Sequence, residues 1–170
     1  MPSRASGAVS VARLKAAIVA SLRASLRHTM TDERAQTNRA QIERARRVLG
    51  HEGAAASADE CATAAGLVYD KLHAQLDPLL GVAGVQALLV RSAKLARAQF
   101  AFLEPALLDS VKLRECLRTQ SPTVALESAA ALFGTLFALM TTLIGERLMT
   151  QVLRSAWPTI EETAVRETSR

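Results

Sequence analysis

The sequence predicts an all-α protein: a compact helical bundle with a long central C-terminal helix and a basic helical N-terminal arm. Three observations lead there. Apolar residues make up 49% of the 170-residue chain but aromatics only 4%, and the abundant Ala, Leu and Arg are strong helix formers. The eight Gly and five Pro fall mostly between stretches whose apolar residues recur three and four apart, leaving little room for strands. Finally, the eighteen residues Ser128 to Gly145 carry no charge, as does a bundle helix covered on all sides.

The net charge of +5 is unevenly spread. Residues 1–50 hold ten Arg or Lys against three acids, whereas residues 51–170 hold eleven against thirteen. The basic character therefore belongs to the N-terminal third. "MPSRASGAVS" is small and polar, with too little apolar surface to pack. From there Val11, Leu14, Ile18, Val19, Leu22 and Leu26 share one helical face, while Arg13, Arg23 and Arg27 lie opposite as candidate anion- or lipid-binding residues. This Arg- and Ser-rich stretch has no acid before Asp32. It has the composition of an organellar transit peptide and equally that of a membrane-surface helix.

A second helix is expected from Asp32 to Leu49, with Thr31 as N-cap and Gly50 as terminator. Its seam of Ala35, Asn38, Ile42, Ala45 and Leu49 has only two large members. That reads as a weak coiled coil or a solvent-exposed arm. "GHEGAAAS" (50–57) reads as a linker. The expected organisation is thus a basic arm over 1–56, partly disordered, a bundle over 57–158 and a frayed polar tail over 159–170.

Ser57-Ala58-Asp59-Glu60 is a capping box opening a helix to about Gln75 or Leu76, with Pro78 expected to break or re-start it and Gly81 able to take a left-handed turn. The next helix sets Val85, Leu88, Leu89 and Leu95 against a basic surface stripe of Arg91, Lys94 and Arg97. After a break near Pro105, another helix carries Leu107, Leu108, Val111 and Leu117. Ser121-Pro122 supplies an N-cap followed by Pro in the first turn. With no strong breaker before Trp157-Pro158, one helix of roughly 50 Å is expected. A shift of 64 positions also superposes Tyr69, Leu72, Leu76, Leu80 and Gly81 on Phe133, Leu136, Met140, Ile144 and Gly145, the pattern of a duplicated helical unit.

At ~27 Å, the uncharged run is marginally short for a bilayer core. The amphipathic helices before it need a common partner, so a soluble core is the expected reading and a membrane span the alternative. No nucleophile elbow, zinc-protease, phosphate-loop or dinucleotide fingerprint occurs. Asp70, His73 and Asp77 share a face at possible ligand spacing, but exposed faces carry such trios by chance. Cys61 and Cys116 read as reduced core residues, which fits a cytoplasm-like compartment. Neither metal nor cofactor is expected. The expected function is a non-enzymatic helical-bundle binding or regulatory module, acting through protein–protein or small apolar ligand contacts. The alternative is a membrane-associated protein using the basic N-terminal helix, the 128–145 segment, or both. A protein partner is expected, peripheral contact with an anionic membrane is possible, and an arm without aromatics fits nucleic acid poorly.

Overall fold

The computed structural model describes residues 35–103 and 109–160. Every regular element among them is helical: α1 over 35–51, α2 at Ala58–Ala96, α3 at Ser110–Arg118, α4 at Pro122–Ile144 and α5 at Glu146–Ala156. The predicted all-α bundle with α4 at its centre is what forms. The chain divides into two compact units that meet between Thr37 and Asn38, and the bundle is Asn38–Arg170.

The expected boundary at Ser57 therefore falls inside one compact unit. α1 is no exposed arm: Ala45, Val48 and Leu49 lie in the core and Gln41 is buried beside them. Of the seam, Ile42, Ala45 and Leu49 do face the core, but its first members Ala35 and Asn38 are exposed and it omitted the buried Gln41 and Val48 one turn away. Small and polar members made that side look too thin to pack. Pro158–Ile160 is helical too, and Ile160 packs on the core, so the polar tail does not begin at 159. The Thr31 cap, Leu107, Leu108 and residues 161–170 lie outside the described residues.

Both long helices turn at a glycine, at Gly81, where a turn is expected, and at Gly145, where none is. α2 runs through Pro78 and turns sharply only at Gly81, where φ is 72° and ψ 155°. Proline removes one backbone donor, but a helix can survive that loss; a backbone at positive φ and extended ψ cannot continue the spiral, and only glycine adopts it readily. Gly145 repeats the conformation, φ 87° and ψ 155°, splitting the expected single helix into α4 and α5.

These glycines are one pair among many. Ser57 and Ser121, 64 positions apart, both cap: the Ser57 hydroxyl accepts from the Glu60 N–H at 3.1 Å and Ser121 from Val124 at 3.4 Å. At the same offset, Cys61, Ala65, Val68, Tyr69, Leu72 and Leu76 are buried, as are Ala125, Ala129, Leu132, Phe133, Leu136 and Met140. Beyond the glycines the correspondence holds, with Val85 and Leu89 matching Met149 and Leu153 in the core. The bundle is two copies of a serine-capped helix, a glycine corner and a return helix.

Ahead of each copy stands a shorter helix, and each lies on the long helix of the other copy. α3 packs on α2, where the Arg114 stem crosses Gly66 so closely that a Cβ there would sit 2.7 Å from Arg114 Cδ. α1 crosses α4 at Gly134, where a Cβ would meet Ile42 Cα at 2.7 Å. Ion pairs fix both crossings, Arg118 to Asp59 at 2.6 Å and Arg46 to Glu127 at 2.5 Å. Fully buried Ala62, Ala64, Ala65, Ala129 and Ala130 let backbones approach at small cost in side-chain entropy.

Candidate functional site

Three groups of side chains stand out in the bundle: a half-buried polar cluster, a histidine on α2, and an exposed apolar and basic surface beyond Gly81.

The polar cluster ties α1 to the rest. Glu52, just past the end of α1, accepts hydrogen bonds at one carboxylate oxygen from Lys71 Nζ (2.5 Å) and from Trp157 Nε1 (2.6 Å). Its side chain is only 8% exposed, and Lys71 sits 5.8 Å from the Trp157 ring centre, in cation–π range. Burial pushes the Glu52 carboxyl up, but the hydrogen bonds from Lys71 and Trp157 and the charges of Lys71 and His51 outweigh it, leaving it below the usual carboxylate range. His51 closes the cluster, its Nε2 3.0 Å from the Thr159 hydroxyl. A carboxylate whose partners are already satisfied is a latch. Sequence reading placed Glu52 in a linker and missed it; the signal was the single Trp, whose buried N–H requires an acceptor.

Of the trio Asp70, His73 and Asp77, only two come together. His73 Nδ1 lies 3.2 Å from Asp77 Oδ1 and its ring stacks near Tyr69 at 4.7 Å, while Asp70 is exposed. Among the described residues no three His, Cys, Asp or Glu side chains are placed to hold a metal ion. His73 Nε2 is buried without a hydrogen-bond partner. Both cysteines are free. Burial pushes the Cys61 thiol up to about 11 and raises that of Cys116, whose S–H donates to the Phe102 carbonyl at 3.2 Å. Neither is primed as a nucleophile, because the thiolate is the reactive form.

The third group contains the predicted basic stripe. Arg91 and Lys94 on the return segment of α2 and Arg97 at its C-cap are all exposed. Large apolar side chains stand in solvent beside them and at the corner: Leu79 is 60% exposed, Val82 65% and Leu95 54%. The second glycine corner repeats the feature, with Leu143 60% and Leu148 51% exposed. No acidic residue occurs from Val82 to Leu103. Arg13, Arg23 and Arg27 lie outside the described residues.

Both α2 and α4 are long and apolar enough to cross a membrane by length and composition, but they differ in cover. The apolar window of α4 is 61% buried inside the protein and that of α2 only 28%. The uncharged run is thus largely a core segment, and the under-covered apolar stretch is on α2. Compared with protein families, curated proteins and solved structures, the chain matches none.

Proposed function

We propose that this protein is a non-enzymatic helical-bundle module that works by binding, through contacts with a protein or a small apolar ligand. The observation that carries the reading is apolar exposure about both glycine corners: Leu79 and Leu143 at matching positions, with Val82 and Leu148 exposed beside them. Burying such a side chain fully stabilises by about 1.5–3 kcal/mol, and exposed apolar surface concentrated at one feature marks interaction sites. The half-buried polar groups fit a binding role, since Glu52, Lys71 and Trp157 are engaged with one another. Two free thiols fit a cytoplasmic setting.

Membrane association is the second reading, favoured by the poor cover of the apolar window on α2. A protein partner or a membrane makes the wild-type chain migrate in native cell extract with a larger or membrane-bound fraction, whereas a small apolar ligand leaves it a monomer that carries the ligand. The quadruple variant Leu79→Gln, Val82→Gln, Leu143→Gln, Leu148→Gln should keep its helical melt and migrate as a free monomer. A wild-type chain that already migrates as a free monomer overturns the protein-partner and membrane readings, and one that also carries no apolar ligand by native mass spectrometry overturns the proposal.

A further inference from the structure

We infer that the outward face of the return segment of α2 docks on an anionic lipid surface. The inference rests on the membrane-association reading and names the face and the lipid charge it meets.

Val82, Ala83, Ala87, Arg91, Lys94 and Leu95 are all exposed. From Ala83 to Leu95 the spacing of one turn or less lays five of them along one side of the helix for about 18 Å, while Val82, three residues before the buried Val85, is exposed at the corner where this segment begins. Val85, Leu89, Ser92, Ala93 and Ala96, on the other side, are buried. The exposed strip is therefore an apolar surface with two cations set into it. No acidic residue follows until Glu104.

The duplicated copy shows that the fold does not demand this. At the 64-residue offset, Val82, Ala83, Ala87 and Arg91 correspond to Glu146, Arg147, Gln151 and Ser155, all exposed on α5. The same return helix, packed on the same core positions, thus carries an outer face mixed in charge and polarity around a single exposed Leu148 in one copy, and an apolar, cationic one without an acid in the other.

The chemistry of that face selects its occupant. Long cationic side chains reach out of an apolar strip to head groups while the strip enters the interface, as in helices that lie on membranes. A single convex helix beside a protruding corner at Leu79 and Val82 suits a surface that deforms around it. The face offers a second copy no acidic side chain to meet Arg91 and Lys94, whereas anionic head groups would pair with both.

The test is co-sedimentation of the full chain with vesicles of phosphatidylcholine alone and of phosphatidylcholine mixed with phosphatidylglycerol. Binding to the anionic vesicles is expected at low salt, with weak binding to the neutral ones. Arg91→Gln with Lys94→Gln should weaken binding about tenfold at low salt and little at high salt. Val82→Gln with Leu95→Gln should weaken it about tenfold at every salt concentration. All four sites are exposed, so thermal melts should match wild type. No binding, equal binding to both vesicles, or binding that neither pair alters overturns the inference, the last by moving the lipid contact elsewhere in the chain. So does a doubled mass in light scattering that Val82→Gln with Leu95→Gln abolishes, since a second copy then holds the face. If vesicle binding fails while the extract complex persists, the lipid inference falls and the binding-module reading stands. If both fail, the protein-partner and membrane readings fall with it.

Discussion

The two copies of the helix–glycine–helix unit share a backbone plan and differ in what covers them. α4 is crossed by α1 at Gly134 and packs along α2, so most of its apolar window is inside the protein. α2 receives α3, a helix of nine residues, and much of its apolar window stays in solvent. The shared plan states what the core requires: a serine cap, large apolar residues one turn apart, and a glycine that turns the chain back. The differences state what the core does not require. Glu52, Lys71 and Trp157 have no counterparts, since the residues 64 positions away from Lys71 and Trp157 are Thr135 and Ala93. They sit together where α1 is fastened, and the apolar outer strip of α2 has a counterpart of mixed charge and polarity on α5.

The largest way to break this comparison is to remove α1. A chain beginning at Ala54 loses Ala45, Val48 and Leu49 from the core and Glu52 from its latch, and it uncovers α4. Burial lost on that scale approaches the ~5–15 kcal/mol that holds a domain together. The truncated chain should bind a hydrophobic dye and melt without a cooperative transition, as checked by circular dichroism. A cooperative melt near that of the full chain would show that α1 is an accessory.

A smaller effect separates the two crossings. Gly134→Ala drives a Cβ into Ile42 backbone, and such overpacking costs about 1–3 kcal/mol. Gly66→Ala meets only the Arg114 side chain, which can move, and alanine gains about 1 kcal/mol in helix propensity. Urea melts should therefore rank Gly134→Ala clearly below Gly66→Ala. Equal losses would mean that α3 sits as rigidly on α2 as α1 does on α4.

The smallest effect concerns the latch. Glu52→Gln keeps the shape but loses charge-assisted bonds to Lys71 and Trp157, worth about 1–3 kcal/mol together. Because the folded carboxyl lies below its ordinary value of 4.5, its stabilisation is present in full above that pH and fades as pH falls through the folded pKa. The wild-type minus Glu52→Gln stability difference, followed by urea melts from pH 7 to pH 3, should shrink on the acid side. A difference independent of pH would remove Glu52 from the account.

Much of this was legible beforehand, and the failures share a cause. The capping box at Ser57, the Ser121-Pro122 start and the buried central run depend on local chemistry, which a sequence displays. The 64-residue offset was visible as well, although Ala- and Leu-rich segments match one another easily; the matching glycine angles and burial make it a structural repeat. α1 was misread because its seam held few large residues and Gln41 looks like a surface residue, until a partner helix with a glycine lets Ile42 and its neighbours approach. The Glu52 latch joins residues about a hundred positions apart, and no periodicity carries such a contact. Of the candidate surface, the cations Arg91, Lys94 and Arg97 were read correctly as exposed. The exposure of Val82 and Leu95 was not foreseen, because an apolar residue in a helical sequence is expected to face the core.

The most direct measurement of the claim that two equivalent glycine corners organise the bundle is the pair Gly81→Ala and Gly145→Ala in equilibrium urea unfolding. Nothing lies within 4 Å of a Cβ built at either position, so backbone strain alone decides the outcome. At positive φ with extended ψ, alanine should destabilise each variant by about 1–3 kcal/mol, by similar amounts. Were either helix to run straight through its glycine, the same substitution would stabilise by about 1 kcal/mol, and that change of sign would contradict the account.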